Sequence, residues 1–157
     1  MTVTILQVDP VIQPSIQELC TLPYRNHPKG CPNYGRQEGC PPNARLFDDV
    51  FDLSRPVYAI VNRFDFKEHV DRMKRLHPEW SRYQAECCLY WQSKARSQLM
   101  GAVRQFLEEH KGYKVNTRAE AMGVNIAETL KPKGIIIEWP PEKFTYQVAL
   151  AAMEKDR

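Results

Sequence analysis

Residues 30–42 read GCPNYGRQEGCPP, which places two Cys, three Pro and three Gly within thirteen positions. The wider stretch 21–43 holds five Pro and the same three Gly and shows neither helical nor strand periodicity. Proline fixes φ and lacks an amide hydrogen, and glycine favours tight turns, so this stretch cannot form a regular element. A structureless loop of that length inside a compact domain is uncommon and usually functional. Whatever core the chain builds must come from the residues on either side. The 157 residues suffice for one domain, 1–157. A chain of this size buries roughly two-thirds of its unfolded surface, so size alone demands neither metal nor disulfide.

The flanking segments predict a mixed α/β domain. TVTILQV, 2–8, reads as an edge strand, and 15–19 as one helical turn that delivers Cys20 at its end. Residues 44–53 have helical spacing, and PVYAIVNRF, 56–64, reads as a buried strand. DFKEHVDRMKRL, 65–76, reads as an amphipathic helix with Asp65 as N-cap. A long helix is expected over 79–110. Trp91, Ala95, Leu99, Ala102 and Phe106 then fall within about 60° of Cys88, which puts Cys88 at the centre of the apolar face and Cys87 near its border. Residues 117–131 read as helical turns interrupted near Gly123, and GIIIEW, 134–139, as a strand. For 144–153, Thr145, Tyr146 and Val148 favour a returning antiparallel strand over a helix. The expected architecture is a mixed sheet of about four strands, 2–8, 56–64, 134–139 and 144–153, with packing helices and the long Pro/Gly/Cys loop.

Five Cys are present: Cys20, Cys31, Cys40, Cys87 and Cys88. No stretch approaches 18 consecutive apolar residues, and MTVTILQVDPVIQP lacks the basic region and apolar run of an export signal. The expected location is therefore the reducing cytoplasm, where thiols persist as thiols or as metal ligands. An odd count there argues further against a disulfide framework. Thiolates in such a compartment typically hold zinc or iron–sulfur clusters. Prolines beside Cys31 and Cys40 stiffen the backbone, and the loop can aim amides at sulfur, which tunes a cluster's potential. The spacing Cys-x10-Cys-x8-Cys is neither that of a bacterial ferredoxin nor that of a zinc finger.

The expected ligand set is Cys20, Cys31, Cys40 and Cys88, holding a [4Fe–4S] cluster, with Cys87 as a less suitable neighbour. The alternative is a structural zinc site of Cys20, His27, Cys31 and Cys40 in an interaction module. With only three Cys bound, an open iron could take a substrate. A redox partner or a small-molecule substrate is implied in either iron case.

Other constellations are weaker. Trp80, Tyr83, Tyr90 and Trp91 lie among Arg82, Lys94 and Arg96 and could stack on nucleic-acid bases. The net charge of only +3 favours an ordinary amphipathic helix instead. Arg25, Lys29 and Arg36 could draw an anion to the loop. Glu120 could act as an acid or base near the site. There is no GxGxxG, Walker loop or HExxH.

CPNYGRQEGCPP resembles the Cys-Pro-x-Tyr-Gly…Cys-Pro-Pro signature of a domain-of-unknown-function family described as predicted metal-binding proteins. EAMGVNIAETLKPKGIIIEW, from Glu120, resembles that family's later Glu-Ala-x-Gly-(Ile/Val)-(Asp/Asn)-(Ile/Val) segment. The two motifs follow in the family's order. The resemblance implies metal, most simply iron–sulfur, at Cys31 and Cys40, and less directly at Cys20, because the family places its first Cys closer to the second. Many relatives carry a further Cys-rich, ferredoxin-like stretch before the Glu-Ala-x-Gly segment. This chain has only Cys87 and Cys88 there, so it resembles a short form with a single site.

Overall fold

Val57, Ala59 and Val61 alternate with Tyr58, Ile60 and Asn62, so the segment is suited to burial on both faces. In the computed structural model, which describes residues 1–24 and 27–156, it forms the strand β2 (Val57–Asp65) inside the sheet. β1 (Thr2–Val8) pairs antiparallel on one side, with Thr2 opposite Arg63 and Val8 opposite Val57. β4 (Phe144–Met153) pairs antiparallel on the other, with Ile60 opposite Ala149. β3 (Tyr113–Asn116) closes the far edge against β4, giving the order β1-β2-β4-β3. The fold is mixed α and β, as expected. The sheet is wholly antiparallel rather than mixed, and one of its strands is not the one expected.

Strand alternation divides the core into two layers. On one face, Val57, Ala59, Val61, Leu150 and Ala152 pack with Phe47 and Phe51 and with Met122, Val124, Ile126 and Leu130. These partners come from α1 (Phe47–Val50), α5 (Ile126–Leu130) and the chain around them. On the other face, Ile60, Ala149 and Ala151 pack with Leu99, Val103 and Phe106 of α4 (Gln92–Glu109). The buried Asn62 donates from Nδ2 to the Ala95 carbonyl at 2.9 Å, which ties α4 to β2. α2 (Phe66–Leu76) starts where Asp65 accepts from the Glu68 amide, the expected N-cap.

Two expectations fail for identifiable reasons. Residues 134–139 form no strand: the segment opens on a left-handed Gly134 at φ +82° and joins no ladder. Ile135 and Ile137 pack on the core while Ile136 faces solvent, so their alternation serves packing. β4 already has β2 and β3 on its two edges and offers no ladder to this segment. The fourth strand is instead β3, whose sequence YKVN is too short to show a period.

The continuous helix over 79–110 is also broken. α3 (Arg82–Ala85) is opened by a capping box between Ser81 and Gln84, and a 3-10 turn follows at Cys88–Tyr90. Trp91 leaves helical geometry at φ −143°. It stacks on Phe64, with centroids 5.0 Å apart, and donates from Nε1 to the Glu86 carbonyl at 3.2 Å. Once the helix is broken there, the angular argument for Cys88 no longer holds, and Cys88 is exposed.

His69 of α2 is only 3% exposed, and no described group makes a well-formed hydrogen bond to either ring nitrogen. Burial and then Arg72 lower its pKa from the ordinary 6.5, with the Ala85 carbonyl pulling the other way. The unfolded chain therefore takes up a proton that the folded chain resists. Stability is expected to fall as pH drops below about 6.5, down to the lowered folded value. Chemical denaturation between pH 7 and 5 checks this: His69→Leu should flatten the loss, and an unchanged slope would assign it to other groups.

Candidate metal centre

Cys20 is the penultimate residue of a 3-10 segment, Pro14–Thr21, that begins with a proline. Gln17 anchors this turn by donating from Nε2 to the Ala44 carbonyl at 3.1 Å and to the Ala121 carbonyl at 2.8 Å. One side chain thus joins the start of the loop, its end and a second 3-10 turn, Ala119–Met122.

The chain then returns across Cys20. Gly30 is buried with φ +84°, and the Cys31 amide donates to the Cys20 carbonyl at 2.7 Å. A Cβ on residue 30 would lie 2.5 Å from that carbonyl oxygen, so the crossing admits only glycine. Further along, the Gly35 amide donates to the Pro41 carbonyl at 2.7 Å and the Cys40 amide to the Gln37 carbonyl at 3.1 Å. These bonds cross-tie the turn after Cys31 to the turn bearing Cys40. Cys40 is buried, whereas Cys20 and Cys31 are half-buried.

The electrostatics agree with the backbone path. Burial raises the Cys20 thiol's pKa, and the charges of Cys31, Cys40 and Glu120 raise it further. The Tyr24 phenol is also raised, by loss of solvent, by the charge of Cys31 and by its hydrogen bond with Cys31. Glu120 is an exposed residue, and partial loss of water around its carboxyl raises its pKa. Arg118 Nη1 donates to Gln37 Oε1 at 2.9 Å and stands 4.0 Å from Cys40 Sγ. The Cys20 thiol thus feels Cys31, Cys40 and the Glu120 carboxyl, while a guanidinium stands beside Cys40. Among the described residues, no group of three or more His, Cys, Asp or Glu side chains is placed to hold a metal ion.

Of the four expected ligands, Cys20, Cys31 and Cys40 share this neighbourhood. Cys88 does not. It stands in the turn before α4, which covers the opposite face of the sheet from the turns that hold the loop. Its neighbour Cys87 is half-buried in the same turn. His27 lies with its ring 4.7 Å from that of Tyr24, and both its backbone groups bond Tyr24. Arg25 lies outside the described residues, and Lys29 and Arg36 are exposed.

Glu120, singled out in the sequence, does reach the site. Arg118 and Tyr24 were missed. Arg118 precedes the Glu-Ala-x-Gly segment by two positions and could have been found through it; Tyr24 carried no signal. Both tryptophans of 80–91 pack on rings from neighbouring segments. Trp80 stacks on His77 at 3.9 Å and Trp91 on Phe64, which uses ring faces that a base would need.

No family model, no curated protein and no solved structure matches this chain.

Proposed function

We propose that the loop is a metal centre, and that the protein is a cytoplasmic iron–sulfur protein in redox or sulfur-handling chemistry, a short form of the family its two motifs resemble. The observation that supports this most is the close crossing of Gly30 over Cys20, with the Cys31 amide bonded to the Cys20 carbonyl at 2.7 Å. A stiff loop has little reason to tie its cysteine-bearing turns together through the backbone unless their thiols share a ligand. Cys20, Cys31 and Cys40 would hold the cluster, and Glu120 is the carboxylate whose charge reaches them.

The donor set fits an iron–sulfur cluster better than zinc. His27, the nitrogen donor that a zinc site would need, packs its ring on Tyr24, which leaves Cys20, Cys31 and Cys40 as a set of three thiolates, one short of the four donors that close a structural zinc site. Such a cluster supplies one-electron transfer, or Lewis-acid chemistry where one iron lacks a cysteine. The chain's own part is defined by its residues. Arg118 places positive charge 4.0 Å from Cys40 Sγ, and Tyr24 offers a hydrogen bond to Cys31.

Purification without oxygen, followed by a visible spectrum and counts of iron, sulfide and zinc, tests the proposal. The expected protein is brown, with a broad band near ~400 nm and about four irons per chain. A colourless protein carrying about one zinc would overturn it in favour of a structural zinc module.

A further inference from the structure

A cavity of about 460 Å³ adjoins the loop on the side of Cys40, and Arg45, Arg118, Glu38, Ala44, Val50 and Met122 are among its lining residues. It shares Arg118 with the cysteine site, since the same guanidinium stands 4.0 Å from Cys40 Sγ. We propose that this cavity binds a small organic monocarboxylate with an apolar body, the carboxylate held by Arg45 and Arg118 and the body lying on Ala44, Val50 and Met122.

Both guanidiniums are already placed. Arg118 is fixed by its 2.9 Å bond to Gln37 Oε1, and its own amide is held by Asn116 Oδ1 at 2.6 Å. Arg45 Nη2 donates to the Asp49 carbonyl at 3.2 Å. Among the described residues neither guanidinium pairs with a carboxylate. Each therefore keeps N–H groups free for an outside oxyanion, and planar guanidinium forks suit carboxylates. Fixing them beforehand reduces the ordering cost of binding.

Charge and surface narrow the ligand further. Two Arg and one Glu leave a single positive charge over the cavity, which matches a monoanion better than a dianion. Met122 belongs to the main core and the partly buried Val50 packs against it, forming an apolar floor that an inorganic anion would leave unused. The position beside Cys40 makes this ligand a candidate substrate, and that step alone rests on the metal-centre proposal.

The test is a titration of the reduced, metal-free full chain with benzoate, acetate and inorganic phosphate, followed by amide chemical shifts. Benzoate should saturate, and acetate should bind at least about fivefold more weakly for want of an apolar body. Arg45→Gln and Arg118→Gln should each weaken benzoate binding by about tenfold or more, as expected for losing a charge-assisted pair. Arg45 is exposed and makes no contact with the cysteine turns among its described hydrogen bonds, so that variant keeps the test sound if Arg118→Gln disturbs the loop. No saturation, benzoate binding unchanged in Arg45→Gln, or tighter binding of phosphate than of benzoate would overturn the proposal. A brown protein that ignores benzoate would lose the pocket and keep the metal centre. A colourless one that binds it would keep the pocket and lose the link to Cys40.

Discussion

Cys20→Ser, Cys31→Ser and Cys40→Ser are each expected to lower the iron content of anoxically purified protein by more than about tenfold, and Cys88→Ser and Cys87→Ser to leave it unchanged. Serine preserves the size of the side chain but is a poor ligand for soft metals, so the loss reads coordination rather than packing. The contrast follows from placement. The first three thiols sit on segments tied together by the Cys31–Cys20 and Gly35–Pro41 backbone bonds. Cys88 is exposed in a turn on the other side of the sheet. Metal binding and folding are linked, so the loop variants should also lose any metal-dependent rise in melting temperature. The measurement is iron and sulfide per chain for each variant, with far-UV circular dichroism to verify the fold. Loss of iron in Cys88→Ser alone, with Cys20→Ser unaffected, would reverse the assignment.

The sequence reveals strands best where their burial is uniform. Residues 56–64 announce β2 because both faces are covered, and Asp65 announces its helix through a local cap. The failures have a common cause. Ile135–Ile137 was read as a strand from a continuous apolar run, and the face around Cys88 from helical period; both patterns report that residues are buried, not what does the burying. Ile135 and Ile137 are indeed turned to the core, but with no strand partner. Trp91 is indeed packed, but through a break that rotates Cys88 away. β3 has four residues, fewer than a period can define. At the site, Cys31 and Cys40 were legible because thiol and proline chemistry is local. Arg118 had only its place two residues before the Glu-Ala-x-Gly segment to mark it, since its approach to Cys40 joins residues 78 positions apart. Distance in sequence likewise hides the Gln17 bonds that bring the two 3-10 turns together.

Gly30→Ala should empty the proposed site without touching a single ligand. Residue 30 sits at φ +84°, where an L side chain costs roughly 1–2 kcal/mol. A Cβ would also meet backbone, 2.5 Å from the Cys20 oxygen and 2.7 Å from the Thr21 carbonyl carbon. Backbone atoms held in a bonded turn cannot step aside as the end of a side chain can, so the crossing itself must open. Opening it breaks the Cys31–Cys20 bond and separates the first two thiols. Gly134→Ala is the control: it has φ +82° and nothing within 4 Å of the added carbon. Both variants carry the same backbone strain, and only one carries the clash. Gly134→Ala should therefore lose about 1–2 kcal/mol of stability and retain its metal. Gly30→Ala should drop iron content by more than about tenfold, while β2 and its two core layers, which lie away from the crossing, keep the far-UV spectrum unchanged. Equal iron in the two variants would mean that the thiols come together by some route other than the Gly30 crossing.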